Sequence, residues 1–144
     1  MAVNIVQQQF RLRTDSADVN SAATFGAALN ANFNWDTTIF RLRFTVANIG
    51  TTSSGATACY LYASRNGGAY AAVNTSTTFV ITTDATAGAS TNNEVITSAQ
   101  LPAGTGTFSS IGEYNYSGIT TTLAIVMGTY IELEFGIQFT LSAV

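Results

Sequence analysis

Residues 131–141 alternate without a break, with Ile131, Leu133, Phe135, Ile137, Phe139 and Leu141 standing against Glu132, Glu134, Gly136, Gln138 and Thr140. A period of two puts each set on its own side of an extended chain. A helical period would place Ile131, Glu134, Gln138 and Leu141 on one stripe and mix the two kinds. The segment is therefore predicted to be a half-buried strand. Phe40, Leu42, Phe44 and Val46 against Arg41, Arg43 and Thr45 predict a second. Phe-Arg-Leu-Arg occurs at 10–13 and again at 40–43, which reads as two strands with the same job, since nothing around them matches. Shorter strands are expected at 58–64, 69–73, 78–83, 94–98, 107–116 and 120–126, with Gly128-Thr129 turning into the last one. Asn66-Gly67 between two of these runs signals a hairpin, because a type I′ turn needs positive φ at both central residues. The one helical candidate is 22–31, where Ala22, Phe25 and Leu29 follow a possible Asn20 or Ser21 cap. Gly26 weakens it, so at most a short connecting helix is expected. Regularly spaced short strands with turn signals predict an all-β fold: an antiparallel β-sandwich, jelly-roll or Ig-like, of about eight strands.

The chain has 144 residues, the length of one domain. Val3, Ile5 and Val6 do not keep one register with Phe10 and Leu12. Residues 1–9 are thus expected as an arm over a neighbour, and 10–144 as the sandwich. Charged residues make up 9%, with five Arg, no Lys and no His, while Ser and Thr supply 35 positions. Without histidine there is no Ser-His-Asp or Cys-His nucleophile system and no imidazole metal ligand. Without lysine there is no Schiff base, and a net charge of −3 gives no footprint for nucleic acid. The apolar run Leu123–Met127 falls far short of the ~20 residues of a membrane span. The first residues carry neither a basic region nor a long apolar one, so no export signal is expected. No cofactor or metal is expected, and lone Cys59 reads as a small buried hydrophobe.

Several constellations could still carry chemistry. Glu132 and Glu134 project from one side of a strand about 7 Å apart, a spacing a glycosidase could use. Arg11 with Arg13 and Arg41 with Arg43 share that spacing, so a solvent-facing Arg–Glu ladder of structural ion pairs is the stronger reading, and no catalytic residue is assigned. Asp15, Asp18 and Asn20 resemble calcium-loop oxygens but lack the glycine and the final Glu of such a loop, which favours an Asx turn. Asp84, Asn92, Asn93 and Glu94 form a second oxygen-rich loop, a weak cation candidate. Tyr114 and Tyr116, with Glu113 and Asn115 beside them, could line a glycan cleft; the alternative is packing on a protein neighbour, as for Tyr60 and Tyr62.

Soluble sheets guard their edges with Lys, Pro or inward charge. This chain has no Lys and one Pro, Pro102. Much of its surface is therefore expected to be covered in an assembly, with Val3, Ile5, Val6, Tyr60, Tyr62, Tyr114 and Tyr116 as interface candidates. Tyr60-Leu61-Tyr62-Ala63-Ser64-Arg65-Asn66-Gly67-Gly68-Ala69-Tyr70, preceded by Phe40-Arg41-Leu42-Arg43-Phe44 and closed by Glu132-Leu133-Glu134-Phe135-Gly136-Ile137-Gln138, resembles the small β-sandwich virion proteins of tailed bacteriophages. The resemblance implies a non-enzymatic structural protein of a virion, made in the host cytoplasm. Capsid decoration or cement is favoured over a tail, collar or fibre component. It further implies major capsid or tail proteins as partners and a homo-oligomer, a trimer being favoured. A carbohydrate-binding β-module is the alternative of a different class.

Overall fold

The computed structural model describes residues 1–14, 17–33, 38–76, 79–84 and 90–140, and among these the fold is all-β. Strand β9 (Thr129–Phe139) is its axis. One edge of β9 pairs antiparallel with β2 (Ile39–Asn48) along nearly its whole length, which sets Phe40 opposite Ile137, Leu42 opposite Phe135, and Arg43 opposite Glu134. The other edge is tiled by three short strands. β7 (Thr107–Phe108) and β8 (Gly112–Asn115) run parallel to β9, and β5 (Val80–Thr82) runs antiparallel to it. β1 (Ile5–Arg13) extends the sheet beyond β2, and β6 (Glu94–Ile96) extends it beyond β8. β3 (Tyr62–Ala63) and β4 (Ala71–Ala72) form a separate hairpin. Asn66 and Gly67 in its turn have φ of 52° and 72°, the positive values the sequence required.

Both faces of β9 are covered, and differently. Ile131, Leu133, Phe135 and Ile137 pack with Val73, Leu123 and Ile125 in the apolar core. Those partners belong to a thinner layer in which 54–61 hydrogen-bonds to 118–125 and Leu61 to Val73. Segment 120–126, expected as a strand, joins this layer only through bridges such as Thr57–Leu123. The opposite face, carrying Glu132 and Glu134, is sealed by loop residues 17–21 and 100–101.

Two expectations are corrected. Residues 1–9 are not a detached arm: Ile5–Gln9 lie in β1, and Ala2 and Asn4 accept hydrogen bonds from Thr51 and Ile49 of the same chain. The broken register that suggested an arm is a β-bulge between Gln7 and Gln9. One extra residue, Gln8, lets odd-numbered Ile5 and even-numbered Phe10 share the apolar face. Second, no helix forms at 22–31. Its backbone groups go to the β1 edge instead, Gly26 N–H to Leu12 O and Asn30 N–H to Phe10 O, with the Asn30 side chain taking the Phe10 N–H. A Cβ at Gly26 would stand 2.5 Å from Thr14 Cγ2, so the strap lies this close only with glycine there.

Candidate functional site

The expected ion-pair ladder exists, but it is interior. Arg13, Arg41, Arg43, Glu132 and Glu134 are all 0% exposed. Arg41 Nη1 lies 2.8 Å from Glu134 Oε1, Arg43 Nε donates to Glu134 Oε2, and Arg43 Nη1 donates to Glu132 Oε2 at 3.0 Å. Arg13 approaches Glu134 at 3.7 Å and donates to the carbonyls of Asp18 and Val19. Gln100 and Leu101 give their N–H groups to Glu132. Burial pushes the Glu132 carboxyl above its ordinary pKa, opposed by the Leu101 N–H, the Arg43 guanidinium and the Gln100 N–H. Arg11 stands outside the cluster, with its guanidinium 4.3 Å from the Phe25 ring centre and its Nε on Ala27 O. The ladder was expected on a solvated face. It is buried because aperiodic loops, which leave no pattern in the sequence, supply the cover. Sealed and engaged by arginines, Glu132 and Glu134 have no room for a glycosidic substrate, and the hydrolase reading of this pair is set aside.

The second tyrosine pair is also corrected. Tyr114 is 0% exposed, packed with Val19 and Ile96, its hydroxyl 3.3 Å from Asp84 Oδ1. Tyr116 is half-buried against it, at 5.9 Å between ring centres. Glu113 accepts from the N–H and hydroxyl of Thr121, so it is a structural clip. A glycan cleft at 113–116 is thereby excluded, and Tyr114 is withdrawn as an interface residue. The oxygen-rich loops are occupied internally as well. Asp18 accepts the Asn20 N–H in an Asx turn, Asn92 accepts the Tyr116 N–H, and Asn93 accepts from Asn115. Asp15 lies outside the described residues. Among the described residues no three His, Cys, Asp or Glu side chains gather as a metal-holding group.

What remains open over β1 and β2 is apolar. The thinner layer covers β9 but stops short over β1 and β2, leaving Leu42, Phe44 and Val46 only half-buried while Arg41 and Arg43 behind them are sealed. The gap forms a groove. One cleft of about 390 Å³ runs from Ile5 and Gln7 over Phe44 and Val46 to Cys59, Tyr60 and Tyr62. An adjoining cleft of about 260 Å³ continues over Phe10, Leu42 and Phe33 to Val80. A third, of about 420 Å³, lies beyond the hairpin between Tyr62, Tyr70, Arg65, Asn66 and Phe139. Tyr62 lines all three. It is 54% exposed, its neighbour Tyr60 56% and Tyr70 76%. The rings of Tyr60 and Tyr62 sit 6.4 Å apart. Val3 and Ile5 are exposed nearby on the sheet edge, and Val6 is half-buried on the ionic side. Cys59 forms part of the groove wall, where burial pushes its thiol pKa up against the opposing Thr120 hydroxyl. Of the predicted interface residues, the groove thus unites Ile5, Tyr60 and Tyr62. Tyr70, which sequence reading passed over, joins them because the Asn66-Gly67 turn folds it back towards Tyr62. That hairpin was the available signal.

Comparison with protein-family models, curated proteins and solved structures finds no match for this chain.

Proposed function

We propose that this chain is a non-enzymatic structural protein that docks on a protein neighbour through the groove centred on Tyr62. The groove supports this reading: it is a contiguous apolar surface rimmed by exposed tyrosines, in a chain with 9% charged residues. Half-exposed tyrosines around an apolar cleft are favoured anchors because they present an apolar body and a polar tip. Together with the sequence resemblance, the proposed setting is the virion of a tailed phage. There the protein would be a capsid decoration or cement protein, or failing that a tail, collar or fibre component, with the groove seated on a capsid or tail protein. A stable seat would bury about 1,200–2,000 Å² in total. Imaging of purified particles at side-chain resolution tests this, with the Tyr62 groove expected to be covered by another virion protein. Particles that lack the chain, or that carry it with the groove open to water, would refute it.

A second reading has its own support. Arg65, Asn66 and Ser64 share a cleft with Tyr62 and Tyr70, the mix of rings and polar groups that recognises sugars. Glycan-array binding by the wild-type chain that is lost in Tyr70→Ala would favour a carbohydrate-binding module.

A further inference from the structure

The outer edge of β1 is closed along one half and open along the other. From Phe10 to Thr14 the strap of residues 24–30 covers it, bonding the Phe10 N–H and C=O, the Leu12 C=O and the Thr14 N–H. Before the bulge the parity is opposite. Ala2 and Asn4 turn their carbonyls inward to Thr51 and Ile49, so the N–H and C=O groups of Val3, Ile5 and Gln7 point outward. Among the described residues these outward groups meet no hydrogen-bond partner. The five residues Val3-Asn4-Ile5-Val6-Gln7 hold no charge, no Lys and no Pro, the devices that normally block an edge, whereas the strapped half carries Arg11 and Arg13.

We propose that this window is the self-association site of the protein, pairing antiparallel with Val3–Gln7 of a second copy about a two-fold axis at Ile5. The outward groups fall at 3, 5 and 7, evenly about the centre. One rotation therefore sets Ile5 opposite the second copy's Ile5, and Val3 opposite its Gln7. All three are then hydrogen-bonded pairs, giving about six new backbone bonds. Asn4 and Val6 face each other as the intervening non-bonded pairs. The match is self-complementary, as an isologous contact must be, and no like charges meet in it. A foreign strand could use the same bonds, but the symmetry of the window fits its own copy without requiring any other sequence. Pairing would carry the sheet through both molecules, setting the two Ile5-lined grooves side by side on one face. The resulting unit is a closed pair, unlike the trimer that the phage resemblance implied, and it does not depend on what the groove binds.

Sedimentation velocity of the full chain across micromolar concentrations should show a species of twice the monomer mass. Val3 and Gln7 are exposed, so charges there leave the fold intact. The double variant Val3→Lys, Gln7→Lys opposes like charges across the axis and should weaken the dimer about tenfold or more. Val3→Lys, Gln7→Glu makes the same positions attractive and should restore it. Ile5→Pro removes the outward donor together with the Ile5 side chain of the groove wall, and should give a monomer that still unfolds cooperatively. A wild-type chain that stays monomeric, a Lys/Lys variant that still dimerises, or a Lys/Glu variant that fails to recover would overturn the proposal. So would a monomeric chain that captures an unrelated strand on this edge.

Discussion

Both oxygens of Glu134 face guanidinium groups, Oε1 towards Arg41 and Oε2 towards Arg43 and Arg13, with water shut out on every side. Removing this carboxylate leaves buried positive charge uncompensated, so Glu134→Ala is expected to cost about 3–5 kcal/mol. Arg11→Ala, outside the cluster, loses its stacking on Phe25 and its hydrogen bond to Ala27 O and should cost only about 1–2 kcal/mol. Urea midpoints compare the two, and equal shifts would mean that the cluster is not the electrostatic keystone of the interior. Glu132 gives a pH signature. Because burial raises its carboxyl pKa in the folded protein, the native state holds that proton more tightly than the unfolded chain does. Its stabilising contribution is complete below the ordinary carboxylate value of about 4 and fades as pH climbs through the raised native value. The stability of wild type relative to Glu132→Gln should therefore decline with rising pH over that window. A difference that grows with pH would show the Arg43 partner outweighing burial. The spacing of these arginines and glutamates was legible in the sequence, and so was their pairing. Their burial was not, because Val19, Gln100 and Leu101 provide it from loops without periodicity.

At the scale of elements, alternation located β2 and β9 well, because each is long enough for its period to stand out. The last residue of the predicted strand, Leu141, lies outside the described residues. The short strands β5 to β8 were placed only approximately, since two to four residues hold too little pattern to fix their bounds. The bulge at Gln8 looked like a change of structure when it was a change of phase. Turn chemistry was more dependable, and two of the four positive-φ glycines among the described residues can be set against each other. Gly67 has φ of 72° with open space where a Cβ would stand, while Gly118 has φ of 83° and would place a Cβ 1.9 Å from the Val73 carbonyl oxygen. Asn tolerates this backbone region, so Gly67→Asn should leave thermal stability nearly unchanged. Gly118→Asn should lose more than about 1 kcal/mol through the clash alone. Similar melting temperatures for the two would mean that the 118–125 ribbon can shift away from Val73. Asn115 holds that ribbon's entry: its Oδ1 accepts from the Ser117 and Gly118 N–H groups, and its Nδ2 donates to Asn93 and to Ile119 O. Asn115→Ala, leaving those buried groups unmatched, is expected to destabilise by about 2–3 kcal/mol.

Taken as a whole, the molecule is organised around contacts that are distant in sequence. β9 joins β2, β5, β7 and β8, and the two longest strands it brings together begin at Ile39 and Thr129. A topology so dominated by remote pairing should refold in milliseconds to seconds, not microseconds. Stopped-flow circular dichroism checks this, and a submillisecond phase carrying the full amplitude would contradict it. That the fold would be all-β was readable from alternation and strand spacing, and a second, thinner layer lies over β9. That this layer ends before it covers β1 and β2 was not readable, because the shortfall depends on where irregular segments run, and this is why the Tyr62 groove emerged only in three dimensions. The central position of β9 has a further consequence for synthesis on the ribosome. Until residues 129–139 have emerged, β2 can pair with β1 alone and must leave its other flank, Ile39–Asn48, unzipped through the translation of some eighty intervening codons. Nascent chains on neighbouring ribosomes of one polysome would display the same bare flank at the same moment, so yield should depend on trigger-type chaperones shielding that segment while the closing strand is still being made.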